Sequence, residues 1–148
     1  MIKKILVALD GSEHANHALD YALDLAESCS ANIELLTVFQ PVYSLISDEL
    51  DYIAPSVTER YLDALKDYHK KVLSEGLKRA NELKPHLKIS TKLAEGRPAD
   101  EIVEKAKEGN FDLIVIGSRG LGGVTQLLLG SVSGKVASHA SCPVLIIR

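Results

Sequence analysis

Apolar residues occur along the chain in two kinds of run, short continuous blocks and longer stretches at helical spacing, and the two kinds alternate. Ile5–Leu9 is apolar at every position, as a strand covered on both faces requires. Asp10-Gly11-Ser12 closes that block, and Ser12 is a good helix N-cap. Ala15, Ala18, Leu19, Ala22, Leu25, Ala26 and Cys29 then recur at i, i+3, i+4 and i+7. Asn16, His17, Asp20, Asp24 and Glu27 take the opposite face, which predicts an amphipathic helix. Ile33–Phe39 predicts a second strand.

From Gln40 to about Ser56 the chain carries two prolines, Tyr43, Tyr52 and the acidic cluster Asp48-Glu49-Asp51. A connection of this length is either a functional excursion, such as a lid, or a plain surface path into the next element. A long charged helix is expected from about Val57 to Leu83, with Tyr61, Leu65, Tyr68, Val72 and Leu83 among its apolar positions. Gly76 is its weak point, and Pro85 marks its end. Leu87–Leu93 is a third strand, and Pro98 opens a helix over Ala99–Lys107. Phe111–Ile116 is a fourth, two-faced strand. A glycine-rich loop, a helix over about Ser131–His139 and a last strand over Cys142–Ile147 complete the chain. Strictly alternating strands and helices predict an α/β domain spanning 1–148, its parallel sheet covered on both faces through right-handed crossovers.

Composition narrows the function classes. A chain of 148 residues, 46% hydrophobic and 25% charged, suits one globular domain that buries about 70% of its unfolded surface. Lys plus Arg total 17 and Asp plus Glu total 20, a formal charge of −3. That balance disfavours broad attachment to nucleic acid or anionic lipid. Five Tyr, two Phe and no Trp leave little for stacking on single strands. The two cysteines, Cys29 and Cys142, form no disulfide framework and no metal spacing, which points to a reducing, cytoplasmic setting. Lys3-Lys4 before Ile5–Leu9 mimics a signal peptide, but the apolar stretch is too short for one, and none is long enough to span a membrane.

The candidate chemistry is concentrated in one place. Six of the ten glycines, Gly117, Gly120, Gly122, Gly123, Gly130 and Gly134, follow a buried strand and lead into a helix. Ligands of open α/β sheets bind outside the carboxyl ends of the strands. Glycines admit a close backbone approach there, and a helix N-terminus favours anions. Ser131, Ser133 and Arg119 add hydroxyls and a fixed charge, so the segment reads as a cradle for a phosphate chain. Two better-known phosphate motifs do not fit. Gly130-Ser131-Val132-Ser133-Gly134-Lys135-Val136 is one residue short of a P-loop, with Val where the hydroxyl belongs. Gly120-Leu121-Gly122 lacks the third glycine of a dinucleotide fingerprint and follows the fourth strand instead of the first.

Gly117-x2-Gly120-x9-Gly130-Ser131 resembles the nucleotide-binding signature of the universal stress protein family, in its ATP-binding branch. The segments Ile5–Ser12, Asp112–Gly120 and Cys142–Ile147 are similar to that family as well. The resemblance implies a three-layer sandwich of the adenine nucleotide alpha hydrolase-like kind, its five-stranded parallel sheet in the order 3-2-1-4-5. It implies an adenine nucleotide (ATP, ADP or AMP) between the first and fourth strands, with Mg²⁺ or Mn²⁺ as companion ions. On that basis Asp10 meets the ribose or a metal, and Val38 offers backbone groups to adenine. Gly117 and Arg119 line the ribose and phosphate side, while Gly120, Gly130, Ser131, Val132 and Ser133 hold the phosphates. From the residues alone, Asp10 serves equally as the organiser of its turn, and Val38 equally as strand core.

His14 with His17, and His139 with Cys142, lack the further ligands of a metal site. No general base stands out for phosphoryl transfer, so a regulatory nucleotide-binding module is favoured over a catalyst. The alternatives are a slow ATPase and a nucleotide-free dimeric scaffold. A receiver-type phosphoacceptor domain is disfavoured, because Asp10 has no adjacent acid and the third strand ends near Ala94-Glu95. Val144, Leu145, Ile146 and Ile147 predict an apolar edge strand through which two copies form a homodimer.

Overall fold

The structure, a computed structural model, describes residues 1–42, 55–120 and 129–148. Its elements in chain order are β1 (Lys4–Ala8), α1 (Glu13–Cys29), β2 (Asn32–Phe39), α2 (Pro55–Leu83), β3 (Ile89–Glu95), α3 (Pro98–Glu108), β4 (Leu113–Gly117), α4 (Ser131–His139) and β5 (Val144–Ile147). Tyr43, Tyr52, the Asp48-Glu49-Asp51 cluster, Gly122 and Gly123 lie outside the described residues.

Among the described residues the strands make one five-stranded sheet in the order β3-β2-β1-β4-β5, every pair parallel. The expected topology is therefore present. β1 lies at the centre because Ile5, Leu6 and Val7 are apolar on both faces, and all three are fully buried. Odd positions of β1, β2 and β4 meet α1 and α2 through Ala18, Leu19, Ala22, Val72, Leu73 and Ala80. Even positions meet α3 and α4 through Ile102, Ala106 and Val136. Each fully buried Ile, Leu or Val in these layers contributes about 1.5–3 kcal/mol relative to exposure.

The strand ends differ from expectation where caps and prolines intervene. β3 starts two residues late, because the Leu87 N–H donates to Lys84 O in the turn after α2. Phe111 closes the end of α3 with its N–H on Ala106 O, behind Asn110 at φ 51°, so β4 begins only at Leu113. β5 begins after Pro143, which has no N–H for the ladder. Cys142, expected inside that strand, lies in the turn before it. Gly76 also has a different role from the one its helix propensity suggests. A Cβ there would stand 2.6 Å from Leu9 Cδ1, so the glycine is what lets α2 settle close to the sheet.

Candidate functional site

α1 leaves β1 toward one face of the sheet and α4 follows β4 toward the other, although β1 and β4 are neighbours paired from Ile5↔Leu113 to Ala8↔Ile116. The chain thus diverges at the carboxyl ends of β1 and β4, the place where open α/β sheets form a ligand crevice.

On the β1 side, Asp10 organises the turn. Its Oδ1 accepts the Ser12 N–H at 2.9 Å, and Gly11 sits at φ 87°, a conformation that favours glycine. Ser12 caps α1 by accepting the Ala15 N–H on its hydroxyl at 3.2 Å, as expected. The same hydroxyl donates to Arg119 O across the crevice at 3.4 Å.

On the β4 side, Gly117 touches the start of α1: an added Cβ would lie 2.8 Å from the His14 carbonyl carbon and 2.9 Å from the Ala15 nitrogen. At Gly120 an added Cβ would lie 2.5 Å from Asp10 Oδ2. The first glycine lets β4 lie against the start of α1, and the second lets the loop after β4 lie against the Asp10 carboxylate. The Gly130 N–H donates to Ser118 O at 2.8 Å and ties the start of α4 to the end of β4.

α4 starts without a side-chain cap, and the Gly134 N–H is the first to bond back into the helix, on Gly130 O at 2.9 Å. The N–H groups of Ser131, Val132 and Ser133 precede that bond and form the positive end of the helix. Ser131 is exposed. Val132 packs its side chain on the α3–α4 core. The buried Ser133 hydroxyl donates to Ser118 O at 3.0 Å and Gly130 O at 3.2 Å, so that hydroxyl shapes the loop and the backbone N–H is what Ser133 offers outward.

Val38 stands at the other end of the crevice. Even-numbered residues of β2 turn their backbone groups toward β1, as Asn32 and Leu36 do through bonds to Lys3 and Leu9. The β1–β2 register ends at Ala8↔Leu36, leaving Val38 past the end of β1 with its side chain against the α3–α4 core. Beside it, the Thr37 hydroxyl is fully buried on the opposite face and has no hydrogen-bond partner among the described residues.

Two residues of this neighbourhood carry no sequence signal. His14 Nδ1 and Ser118 Oγ share a hydrogen bond of 3.2 Å, and Ser118 is buried. They lie 104 positions apart, in no motif that links them. His139 and Cys142 are not an activated pair. His139 Nδ1–H donates to Lys135 O, and burial pushes the Cys142 thiol above its ordinary range, the opposite of an activated nucleophile. No group of three or more His, Cys, Asp or Glu that could hold a metal occurs among the described residues. No helix among them is long and apolar enough to cross a membrane.

A groove of about 620 Å³ opens elsewhere, between α3 and α4, lined by Ala99, Asp100, Val103, Glu104, Lys107, Glu108, Lys135 and His139. Its lining carries mixed charges, including Lys135 3.9 Å from Asp100.

Known proteins share this sequence and architecture. The family model described as "Universal stress protein family" matches residues 1–148. The universal stress protein YxiE of Bacillus subtilis is 39% identical, over 100% of both chains. The solved structure of universal stress protein UspA from Lactobacillus plantarum superposes with a TM-score of 0.83 at 27% identity, covering 99% of this chain and 98% of its own. A universal stress protein solved in complex with cAMP gives a TM-score of 0.73 at 28% identity, covering 99% and 97%. The chain belongs to the universal stress protein family.

Proposed function

We propose that this protein binds an adenine nucleotide in the crevice between the ends of β1 and β4 and acts as a nucleotide-responsive regulatory module of the stress response. The observation that carries this is the cradle at Gly120 and Gly130. Gly120 lies against the Asp10 carboxylate with no side chain between them, and α4 starts uncapped at Gly130, whose N–H is bonded to Ser118 O at 2.8 Å. Backbone N–H groups and a helix dipole suit phosphates on a chain of net charge −3. The cAMP complex of a relative supports the same ligand class.

In this reading Val38 offers its N–H and C=O, beyond the end of β1, to the adenine edge. Gly117 and Arg119 line the ribose and the first phosphate. Gly120, Gly130, Ser131, Val132 and Ser133 hold the remaining phosphates of ATP through backbone groups. Asp10 Oδ2, turned toward Gly120, faces the ribose or helps hold Mg²⁺ or Mn²⁺ on phosphate oxygens. Such an ion screens the phosphate charge. Asp10 Oδ1 is already engaged by the Ser12 N–H, which favours a holding role over general-base work.

Isothermal titration with ATP, ADP and AMP tests the proposal. Wild type should bind at least one of them. Gly120→Val, whose added Cβ meets only the movable end of Asp10 among the described residues, should stay folded and lose that binding. Equal heats for variant and wild type would refute the site.

A second copy of the chain is the proposed protein partner. β5 is the sheet edge, and Val144, Leu145, Ile146 and Ile147 are each only partly covered, a free apolar edge of the kind that pairs with another strand.

A further inference from the structure

We propose that His14 is a positioning residue for the phosphate cradle, acting through Ser118. The proposal rests on the nucleotide reading above and deepens it. Ser118 is the node at which the crevice is assembled. Its N–H donates to Ile147 O at 2.7 Å, and its carbonyl accepts both the Gly130 N–H at 2.8 Å and the Ser133 hydroxyl at 3.0 Å. The two ends of the glycine loop, Gly117–Gly120 and Gly130–Ser133, are therefore joined at a single carbonyl. The direction of that carbonyl sets where the α4 donors point.

Backbone bonds fix one side of the Ser118 peptide, and α1 fixes the other. The Ser118 hydroxyl is held by His14 Nδ1 at 3.2 Å, and the next carbonyl, that of Arg119, accepts from Ser12 at 3.4 Å. Ser118 is 6% exposed, so water does not readily replace the imidazole. Gly117 brings α1 into backbone contact with β4, so the imidazole is delivered by a rigid helix. Loss of the His14 bond leaves a buried hydroxyl unpartnered and loosens the hold of α1 on the Ser118 peptide. A neutral hydrogen bond of this kind corresponds to roughly a fivefold change in an equilibrium.

The experiment is a double-mutant cycle on ATP affinity, measured by calorimetry at a temperature where circular dichroism shows every variant folded. His14→Phe keeps a ring and removes the polar atom, Ser118→Ala removes the hydroxyl, and His14→Asn returns an amide close to the place of Nδ1. The expected result is a loss of roughly fivefold or more for His14→Phe and for Ser118→Ala, no further loss in the double variant, and recovery in His14→Asn. A purely structural role for His14 predicts lower unfolding midpoints with unchanged affinity. Affinity within twofold of wild type in His14→Phe, strictly additive losses, or no recovery in His14→Asn overturns the proposal while leaving the nucleotide site standing. Failure of wild type to bind ATP, ADP or AMP overturns the site and the proposal together.

Discussion

Asp10 accepts the Ser12 N–H on one oxygen and presents the other toward Gly120, so a single side chain joins the turn after β1 to the loop after β4. The same economy holds for Ser12, which caps α1 and donates across the crevice to Arg119 O. Thr37 behaves differently. Its hydroxyl is fully buried, with no partner among the described residues, and a buried hydroxyl left unpaired costs about 1–3 kcal/mol. Thr37→Val is therefore expected to raise stability by about 1 kcal/mol in urea unfolding. A clear loss of stability would mean that the hydroxyl has a partner in solution.

Residues such as these also show where sequence reasoning ends. Asp10, Ser12 and the glycines were legible because each carries a local signal: a turn, a cap, or a spacing next to a strand. His14 and Ser118 were not, because their bond depends on a close approach of α1 to β4 that Gly117 permits and no periodicity encodes. Gly76 was misleading for the same reason. Its low helix propensity was visible, but the Leu9 side chain that requires it belongs to another element.

At the scale of elements, the strand–helix alternation was enough to anticipate the parallel sheet, and α4 has the expected bounds of Ser131–His139. The slips at β3, β4 and β5 come from helix-end closures and Pro143, which remove residues from strands that composition alone would extend. Asp112 shows how such an end is secured. Its carboxylate accepts the backbone N–H of Lys3 at 2.8 Å and of Lys4 at 2.9 Å, binding the start of β4 to the start of β1. Those bonds hold its carboxyl below the usual aspartate range. α1 and α2 are clasped similarly, with Lys84 bonded to Glu27 and paired with Asp24, and Asp20 paired with Arg79. The Lys84 hydrogen bond lowers the Glu27 carboxyl, and the Glu27 bond raises the Lys84 ammonium.

The signs follow from which form the folded chain favours. Asp112 and Glu27 are stabilised as carboxylates, so their contribution is complete above the unfolded carboxyl range and is lost as pH falls through it, from about pH 4 downward. On the alkaline side the same Lys84–Glu27 pair is lost as Lys84 deprotonates, above the usual lysine range. Thermal unfolding midpoints of wild type should therefore fall steeply in acid. Asp112→Asn should be less stable at neutral pH and show a shallower acid decline. An unchanged acid slope would contradict the assignment.

For the whole molecule, the topology concentrates the candidate site residues at one end of the sheet. Parallel strands bring every carboxyl end to the same side, and α1 and α4 diverge there. The opposite sheet end carries Asp112 and the turns that fasten it. β5, partly covered and terminal in the sheet order, forms a lateral edge, the proposed contact for a second copy. Sedimentation equilibrium should give twice the chain mass for wild type and a shift toward single chains for Ile146→Lys, whereas a wild-type single chain at micromolar concentration would remove the dimer from the account.

Amide chemical-shift mapping during titration with AMP and ATP tests both the proposed adenine nucleotide and its place at the β1–β4 crevice. Shifts are expected at Asp10–Ser12, Val38, Ser118–Gly120 and Gly130–Ser133, with Val103, Lys107 and His139 of the α3–α4 groove unmoved. Saturable shifts confined to that groove, or none anywhere at millimolar nucleotide, would contradict it.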